Sequence, residues 1–286
     1  METTKTTWWQ RIVKTGKLLF WLLLIVLVVQ QSCAPYWVNA ARTAVLTRFQ
    51  DERKARVIVM IHRAETVSFL GVPVSSYINI EDSEAVLRAI RLTPPEQPID
   101  LILHTPGGLV LAAEQIATAL SDHKGKVTVF VPHYAMSGGT LIALAASEII
   151  MDPNAVLGPV DPQIAGMPAS SIVNLLQIKK PNQISDEMLI LVDVAAKARI
   201  ELASFVLEIL QKRLPKEKAV SLATALTEGS VTHDFPLTVN LLRKTGLAIS
   251  TAVPRTVYDI MDLYPQSGAG RPSVLYVPLR QAPAPK

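Results

Sequence analysis

Two Gly-Gly pairs, each just downstream of an apolar run, constrain this chain more than any other feature. The first run, Ile99-Asp100-Leu101-Ile102-Leu103, leads into His104-Thr105-Pro106-Gly107-Gly108. The second, Val127-Thr128-Val129-Phe130-Val131, leads into Tyr134-Ala135-Met136-Ser137-Gly138-Gly139. Helix-like segments follow both pairs, so each marks a strand-to-helix turn. The serine ahead of the second pair fits chemistry that attacks a carbonyl. Such chemistry needs a hydroxyl at a helix start and bare backbone N–H groups aimed at a developing oxyanion. The Gly138 N–H can donate to that oxyanion. The Gly107-Gly108 turn can supply a second N–H, because glycine tolerates the φ that turns an amide inward. A plain helix-capping serine is the competing reading of Ser137. Finding two such turns after successive strands sets the two readings level.

The flanking chain alternates regularly. Strands are expected at 56–62, 100–103, 127–131 and 148–151, with helices at 84–91, 109–120 and 140–146. Asp82 or Ser83 is the expected cap of the first helix. Strict alternation means parallel βαβ units, and apolar runs without alternation fit strands covered on both faces. Ligands bind such sheets beyond the carboxyl ends of the strands, where both Gly-Gly turns fall. Residues 66–79 read as a loop or hairpin and 167–178 as short and mixed. A long helix begins at Asp186 and extends toward Leu214, followed by helices at 216–226 and 237–244 and a turn at 232–236.

Charged residues make up only 18% of the 286, against 49% hydrophobic ones, so some apolar surface is expected to face lipid or a partner. The run Leu18 to Val29 is unbroken, though shorter than the roughly 20 residues that span a bilayer. Lys14 and Lys17 can snorkel, and Trp8, Trp9, Tyr36 and Trp37 supply aromatic belts. These features predict an uncleaved single-pass anchor over 1–38 and a helical stalk over 39–56. The α/β domain then occupies 57–264, and a Pro/Gly-rich tail 265–286. Within the tail, Ser273-Val274-Leu275-Tyr276-Val277 can add a strand to a neighbour. The net charge of +4 comes with no dense basic run, which argues against nucleic acid. The single cysteine, Cys33, permits no intrachain disulfide, and the five histidines are not at zinc spacing. Neither metal nor cofactor is implied.

A nucleophilic serine needs a base. The residues alone leave His104, His133, His233, Lys179, Lys180 and Lys197 open. A lysine must be desolvated to lose its proton near neutral pH. Lys180 borders a Pro181 turn, and Lys197 lies on a mostly apolar stretch. His233-Asp234 reads as a turn cap, and Asp161, between prolines, as a residue that fixes its loop.

These motifs resemble the ClpP/crotonase superfamily of serine peptidases. Within it they resemble the membrane-anchored serine dehydrogenase proteinase family, related to signal peptide peptidase A. His104-Thr105-Pro106-Gly107-Gly108 is similar to the oxyanion turn of ClpP and signal peptide peptidase A. Ala135-Met136-Ser137-Gly138-Gly139 is similar to the turn that carries their nucleophile. Leu157-Gly158-Pro159-Val160-Asp161-Pro162-Gln163 and Thr232-His233-Asp234-Phe235-Pro236 resemble signatures of the nearer family. The resemblance implies a ClpP/crotonase-like fold of repeated ββα units with a parallel sheet. It implies Ser137 as nucleophile and the Gly108 and Gly138 N–H groups as oxyanion hole. ClpP has a histidine about twenty-five residues after its serine, where this chain has Asp161. Signal peptide peptidase A uses a lysine at a spacing that here falls on Lys179 and Lys180, so Lys180 is the expected base, with Lys197 its rival.

The resulting expectation is a membrane-anchored serine endopeptidase with a Ser137–Lys180 dyad, cleaving apolar peptides or membrane-protein segments. The family's habits imply a trimer or larger ring, and analogy with signal peptide peptidase A puts the catalytic domain outside the cytoplasm. The alternative is a non-catalytic ClpP-fold scaffold that binds peptides or a protein partner. Acyl-CoA chemistry on the same fold is disfavoured, because no carboxylate flanks Ser137.

Overall fold

The computed structural model describes residues 8–62, 67–69, 72–74 and 77–264. The tail over 265–286, with the strand expected at 273–277, lies outside these residues. The chain divides into two compact units, Met1–Phe49 and Gln50–Lys286.

Helix α1 runs without a break from Trp8 to Arg53, so the segments read as anchor and stalk lie on one helix. Leu18, Leu19, Phe20, Trp21, Leu22 and Leu23 are all exposed on it. Among the described residues, no helix is long and apolar enough to cross a membrane. The side chains of 25–35, which hold the end of the apolar run, lie outside the described residues.

The second unit is built on one sheet. After β1 (Arg56–Ile61) come a short antiparallel hairpin, β2 (Val67–Phe69) and β3 (Val72–Val74), and helix α2 (Ile80–Arg91). Strand β4 (Ile99–His104), helix α3 (Val110–Ser121) and strand β5 (Val127–Val131) follow. Then come β6 (Tyr134–Ala135), α4 (Gly138–Leu144), β7 (Glu148–Met151), β8 (Val156–Leu157) and the hairpin β9 (Gln163–Ile164) and β10 (Met167–Pro168). The remainder is mainly helical: α5 (Ala169–Ile178), α6 (Asp186–Gln211), α7 (Lys216–Thr227), α8 (Val239–Lys244) and α9 (Arg255–Asp262). Strand β11 (Leu237–Thr238) precedes α8, and β12 (Ile249–Ser250) precedes α9.

The main sheet has the order β1-β4-β5-β7-β12, and every pairing in it is parallel. Strand order follows chain order, so each right-handed crossover advances in the same direction and the crossover helices share one face. Every residue of β4 and β5 is buried, which explains why neither strand alternates in sequence. Leu101, Leu103, Val129 and Ile149 pack with Ile116, Leu141, Leu144, Val206 and Leu210 in one core. A second, three-stranded sheet, β11-β8-β6, uses only two residues per strand. Each of β5 and β7 is thus followed by a short strand of this second sheet, as repeated ββα units require.

Several expected boundaries move for identifiable reasons. Helix α2 starts earlier than read, at Ile80, because Asn79 forms a capping box with Asp82. Leu237–Thr238 is strand rather than helix, and Thr238 caps α8 by accepting from the Leu241 N–H. Residues 169–178, read as mixed, are helix α5.

One charge pair sits at the start of β4. Asp100 is buried, and Arg53 Nε donates to it at 2.7 Å while the guanidinium lies 5.4 Å from the Phe130 ring centroid. The hydrogen bond to Asp100 raises the Arg53 pKa above its ordinary value, against the effect of burial. Arg53→Ala strands a buried carboxylate. Because Arg53 is partly exposed, the expected cost is about 2 kcal/mol, below that of a fully buried pair. Urea unfolding checks it, and an unchanged midpoint would contradict the assignment.

Candidate active site

Beyond the end of β4, Thr105 continues into a parallel bridge with Ala135 of β6. Thr105 N–H donates to the Tyr134 carbonyl at 3.2 Å, and Met136 N–H donates to the Thr105 carbonyl at 3.0 Å. These bonds place the two Gly-Gly turns side by side.

Ser137 heads α4 with φ +51° and ψ −120°, a conformation that side-chain-bearing residues rarely adopt. Its side chain makes no capping hydrogen bond, so the capping reading of this serine fails. A strained strand-to-helix turn that presents a serine is the geometry of a nucleophile elbow. Two bonds hold the elbow: Thr140 Oγ1 donates to the Ala135 carbonyl at 2.8 Å and accepts from Gly158 N–H at 2.9 Å.

The first turn is equally constrained. Gly107 has φ +109°, and a Cβ there would stand 2.7 Å from Ser137 Cβ. Ile78 pairs with Gly108 as a parallel bridge: its N–H donates to the Gly107 carbonyl, and its carbonyl accepts from Leu109 N–H, both at 2.8 Å. In that pattern the N–H of Gly108 itself points away from Ile78. The Gly138 N–H opens a helix and has no intrahelical acceptor. The two amides are neighbours, since a Cβ on Gly138 would lie 3.8 Å from Gly108 N.

Ser137, Gly108 and Gly138 line a cleft of about 180 Å³ with Pro106, Asp161, Gln163 and His233. Val110, Leu141, Val160 and Leu202 complete it as apolar walls. His233 Nδ1 donates to Asp161 Oδ1 at 2.7 Å. A carboxylate only accepts, so Nδ1 carries a proton, and in the neutral imidazole Nε2 then keeps its lone pair. Asp161 is buried, and its other oxygen accepts from Gln163 Nε2 at 2.7 Å. Residues 72 positions apart meet here because β11 pairs antiparallel with β8, Leu237 opposite Leu157 and Thr238 opposite Val156. No periodicity in two-residue strands announces that pairing. The Asp161 and His233 segments stand out in the sequence only as motifs.

The lysines lie elsewhere. Lys180 is exposed ahead of a short 3-10 turn (Pro181–Gln183), and its backbone N–H donates to Gln183 Oε1 at 3.1 Å. It is not among the residues lining the cleft, and neither are Lys179 and Lys197. Lys179 is exposed at the end of α5, and Lys197 forms an exposed ion pair with Asp193 one turn away on α6. Lys180, the base expected from the sequence, is thus not brought to the cleft that Ser137 lines. His104 is buried against Tyr134, with ring centroids 4.2 Å apart, and lies outside the cleft, as does exposed His133.

Comparison with known proteins decides the family. A profile described as ClpP-like SDH-type serine proteinase matches residues 8–285. The chain belongs to this family. As a ClpP-like serine proteinase it is a hydrolase of peptide bonds, in agreement with the resemblance carried by its motifs. The proteinase is 52% identical to an uncharacterized protein of Methanocaldococcus jannaschii over 91% of this chain and 89% of that one. A second uncharacterized protein of that organism is 49% identical over 92% of each. Among solved structures, ClpP1 from Listeria monocytogenes is similar with a TM-score of 0.45 and 18% identity, covering 72% of this chain and 96% of that one.

Proposed function

We infer that the proteinase cleaves peptide bonds through an acyl-enzyme formed on Ser137, with His233 as the base and Asp161 as its partner. Ser137 Oγ attacks the carbonyl while His233 Nε2 takes its proton. The Gly108 and Gly138 N–H groups stabilise the oxyanion, and the proton returns to the leaving amine. Water, activated by the same imidazole, then releases the acyl group. The observation that carries this reading is the His233–Asp161 pair, which lines the same cleft as Ser137. It also weighs against the non-catalytic scaffold, because a histidine lines the cleft although none stands at the ClpP spacing. The apolar walls from Val110, Leu141, Val160 and Leu202 support apolar side chains next to the scissile bond.

Attachment to the cell membrane through α1 belongs to the same proposal. It is supported by the apolar run from Leu18 to Val29 and by the exposure of its first six side chains. Self-association is supported by exposed Ile190 and Val194, one turn apart on α6.

Fluorophosphonate labelling of the detergent-solubilised full-length protein tests the nucleophile and the base together. Ser137→Ala is expected to abolish labelling, whereas Lys180→Ala and Lys197→Ala label at the wild-type rate. Loss of labelling in Lys180→Ala would restore the lysine dyad in place of His233.

A further inference from the structure

Beside the oxyanion turn lies a chain of polar groups that the triad does not use. His62, the first residue after β1, is buried, at 6% exposure, and is not among the residues lining the cleft. Its Nδ1 is 2.9 Å from Thr105 Oγ1, and its Nε2 is 3.3 Å from Asp82 Oδ2. Thr105 Oγ1 accepts from Gly107 N–H at 3.2 Å. Asp82 is itself fixed: the same Oδ2 accepts from Asn79 N–H at 2.9 Å, and the Asp82 N–H donates to Asn79 Oδ1 at 3.0 Å.

The proton positions follow from what each group can do. The Asp82 carboxylate only accepts, so the His62 ring proton faces it from Nε2 and Nδ1 is left as an acceptor. The Thr105 hydroxyl has one hydrogen. Nδ1 at 2.9 Å is a nearer acceptor than the Gly107 carbonyl at 3.4 Å, so the hydrogen goes to the imidazole. With its hydrogen so committed, the hydroxyl oxygen presents its lone pairs to the Gly107 N–H. Donation therefore runs one way, from Gly107 to Thr105 to His62 and toward Asp82.

Two consecutive peptides are fixed as a result. Thr105 holds the Pro106–Gly107 peptide by its N–H, and Ile78 holds the Gly107–Gly108 peptide by its carbonyl. The Gly108 N–H sits on that second peptide, opposite the carbonyl. Neither glycine has a side chain to restrict it, so the turn depends on these bonds for its aim.

We propose that His62 is a positioning residue for the oxyanion hole: through Thr105 it locks the Gly107-Gly108 turn so that the Gly108 N–H meets the developing oxyanion. The proposal rests on Ser137 being the nucleophile and Gly108 an oxyanion donor. A merely structural histidine would affect folding without affecting the chemical step selectively.

The test uses the detergent-solubilised full-length protein as wild type, His62→Leu, His62→Gln and Thr105→Val. Thr105→Val keeps the methyl group that packs against Gly139 and removes only the hydroxyl. Three quantities are measured: the saturating rate and half-saturation constant of fluorophosphonate labelling, and hydrogen exchange over 105–109. His62→Leu and Thr105→Val are expected to lower the saturating rate by about 10- to 100-fold, with half-saturation within about twofold. Exchange at Gly107 is expected to rise in both variants. His62→Gln can still accept from Thr105 and donate to Asp82, and is expected to recover most of the rate. Wild-type rates in His62→Leu and Thr105→Val, or a His62→Gln as slow as His62→Leu, would overturn the proposal while leaving the catalytic reading intact. Faster exchange at Gly107 with unchanged labelling would remove Gly108 as a donor. An unlabelled wild type would remove the catalytic reading, and the proposal with it.

Discussion

His233→Ala is expected to lower kcat/KM for peptide hydrolysis by about 10⁶-fold, a loss of the size seen when a serine triad loses its base. The alanine removes the imidazole that takes the Ser137 Oγ proton in the proposed mechanism. Asp161 stays buried and bonded to Gln163, so the cleft keeps its frame. Asp161→Asn is expected to produce a smaller loss, about 10⁴-fold, by a different route. An amide can present its NH₂ to His233 Nδ1, which favours the tautomer with the proton on Nε2, where it cannot accept from serine. Lys180→Ala is expected to stay within about twofold of wild type, since an exposed lysine outside the cleft takes no part in proton transfer. Steady-state cleavage of an apolar peptide, with near-ultraviolet dichroism to verify folding, separates these cases. A fully active His233→Ala would end the triad reading.

Gly108→Ala is expected to combine a rate loss of about 10²- to 10³-fold with a stability loss of about 2–3 kcal/mol. A Cβ at this position would stand 2.2 Å from the Ile78 carbonyl oxygen and 2.4 Å from the Ile78 nitrogen. Both are main-chain atoms, so no rotamer change relieves the overlap and the two strands must part. Parting them breaks the bonds that Ile78 makes to Gly107 and Leu109, and the Gly108 amide loses its aim. Urea midpoints and saturating labelling rates read the two effects separately. Because the overlap is with backbone, Ile78→Ala in the same chain is expected to restore neither. Restoration would show that side-chain crowding, rather than main-chain approach, was responsible.

What the sequence disclosed about the site is the part set by neighbouring residues. The strands ending at His104 and Val131 read directly, because buried parallel strands are unbroken β-branched and aliphatic runs. Ser137, Gly108 and Gly138 followed from glycine pairs that only a tight turn or close main-chain approach requires. The proposed base did not follow. Lys180 suited a spacing argument, but spacing says nothing of exposure. His233 meets Asp161 through a pairing of two-residue strands too short to have a pattern. Other features carry a local signal after all. Asn79-Ile80-Glu81-Asp82 contains the side chains of a capping box, which fixes the start of α2. In α9, Val257, Ile260 and Met261 are buried, and their spacing of i, i+3 and i+4 is the signature of a helix with one apolar face.

The small sheet β11-β8-β6 has a consequence in time. Ser137 follows its first-made strand, Asp161 follows its second, and His233 precedes its third. A ribosome therefore makes the nucleophile roughly a hundred residues before the base, and domains consolidate as they emerge. The nascent chain can assemble the strands β1, β4, β5 and β7 while its serine is still inert. Under the proposed triad, proteolytic competence arrives in one late step, when residues 233–238 close against β8 and the Asp161 loop that follows it. A chain truncated before residue 233 is accordingly expected to be proteolytically inert.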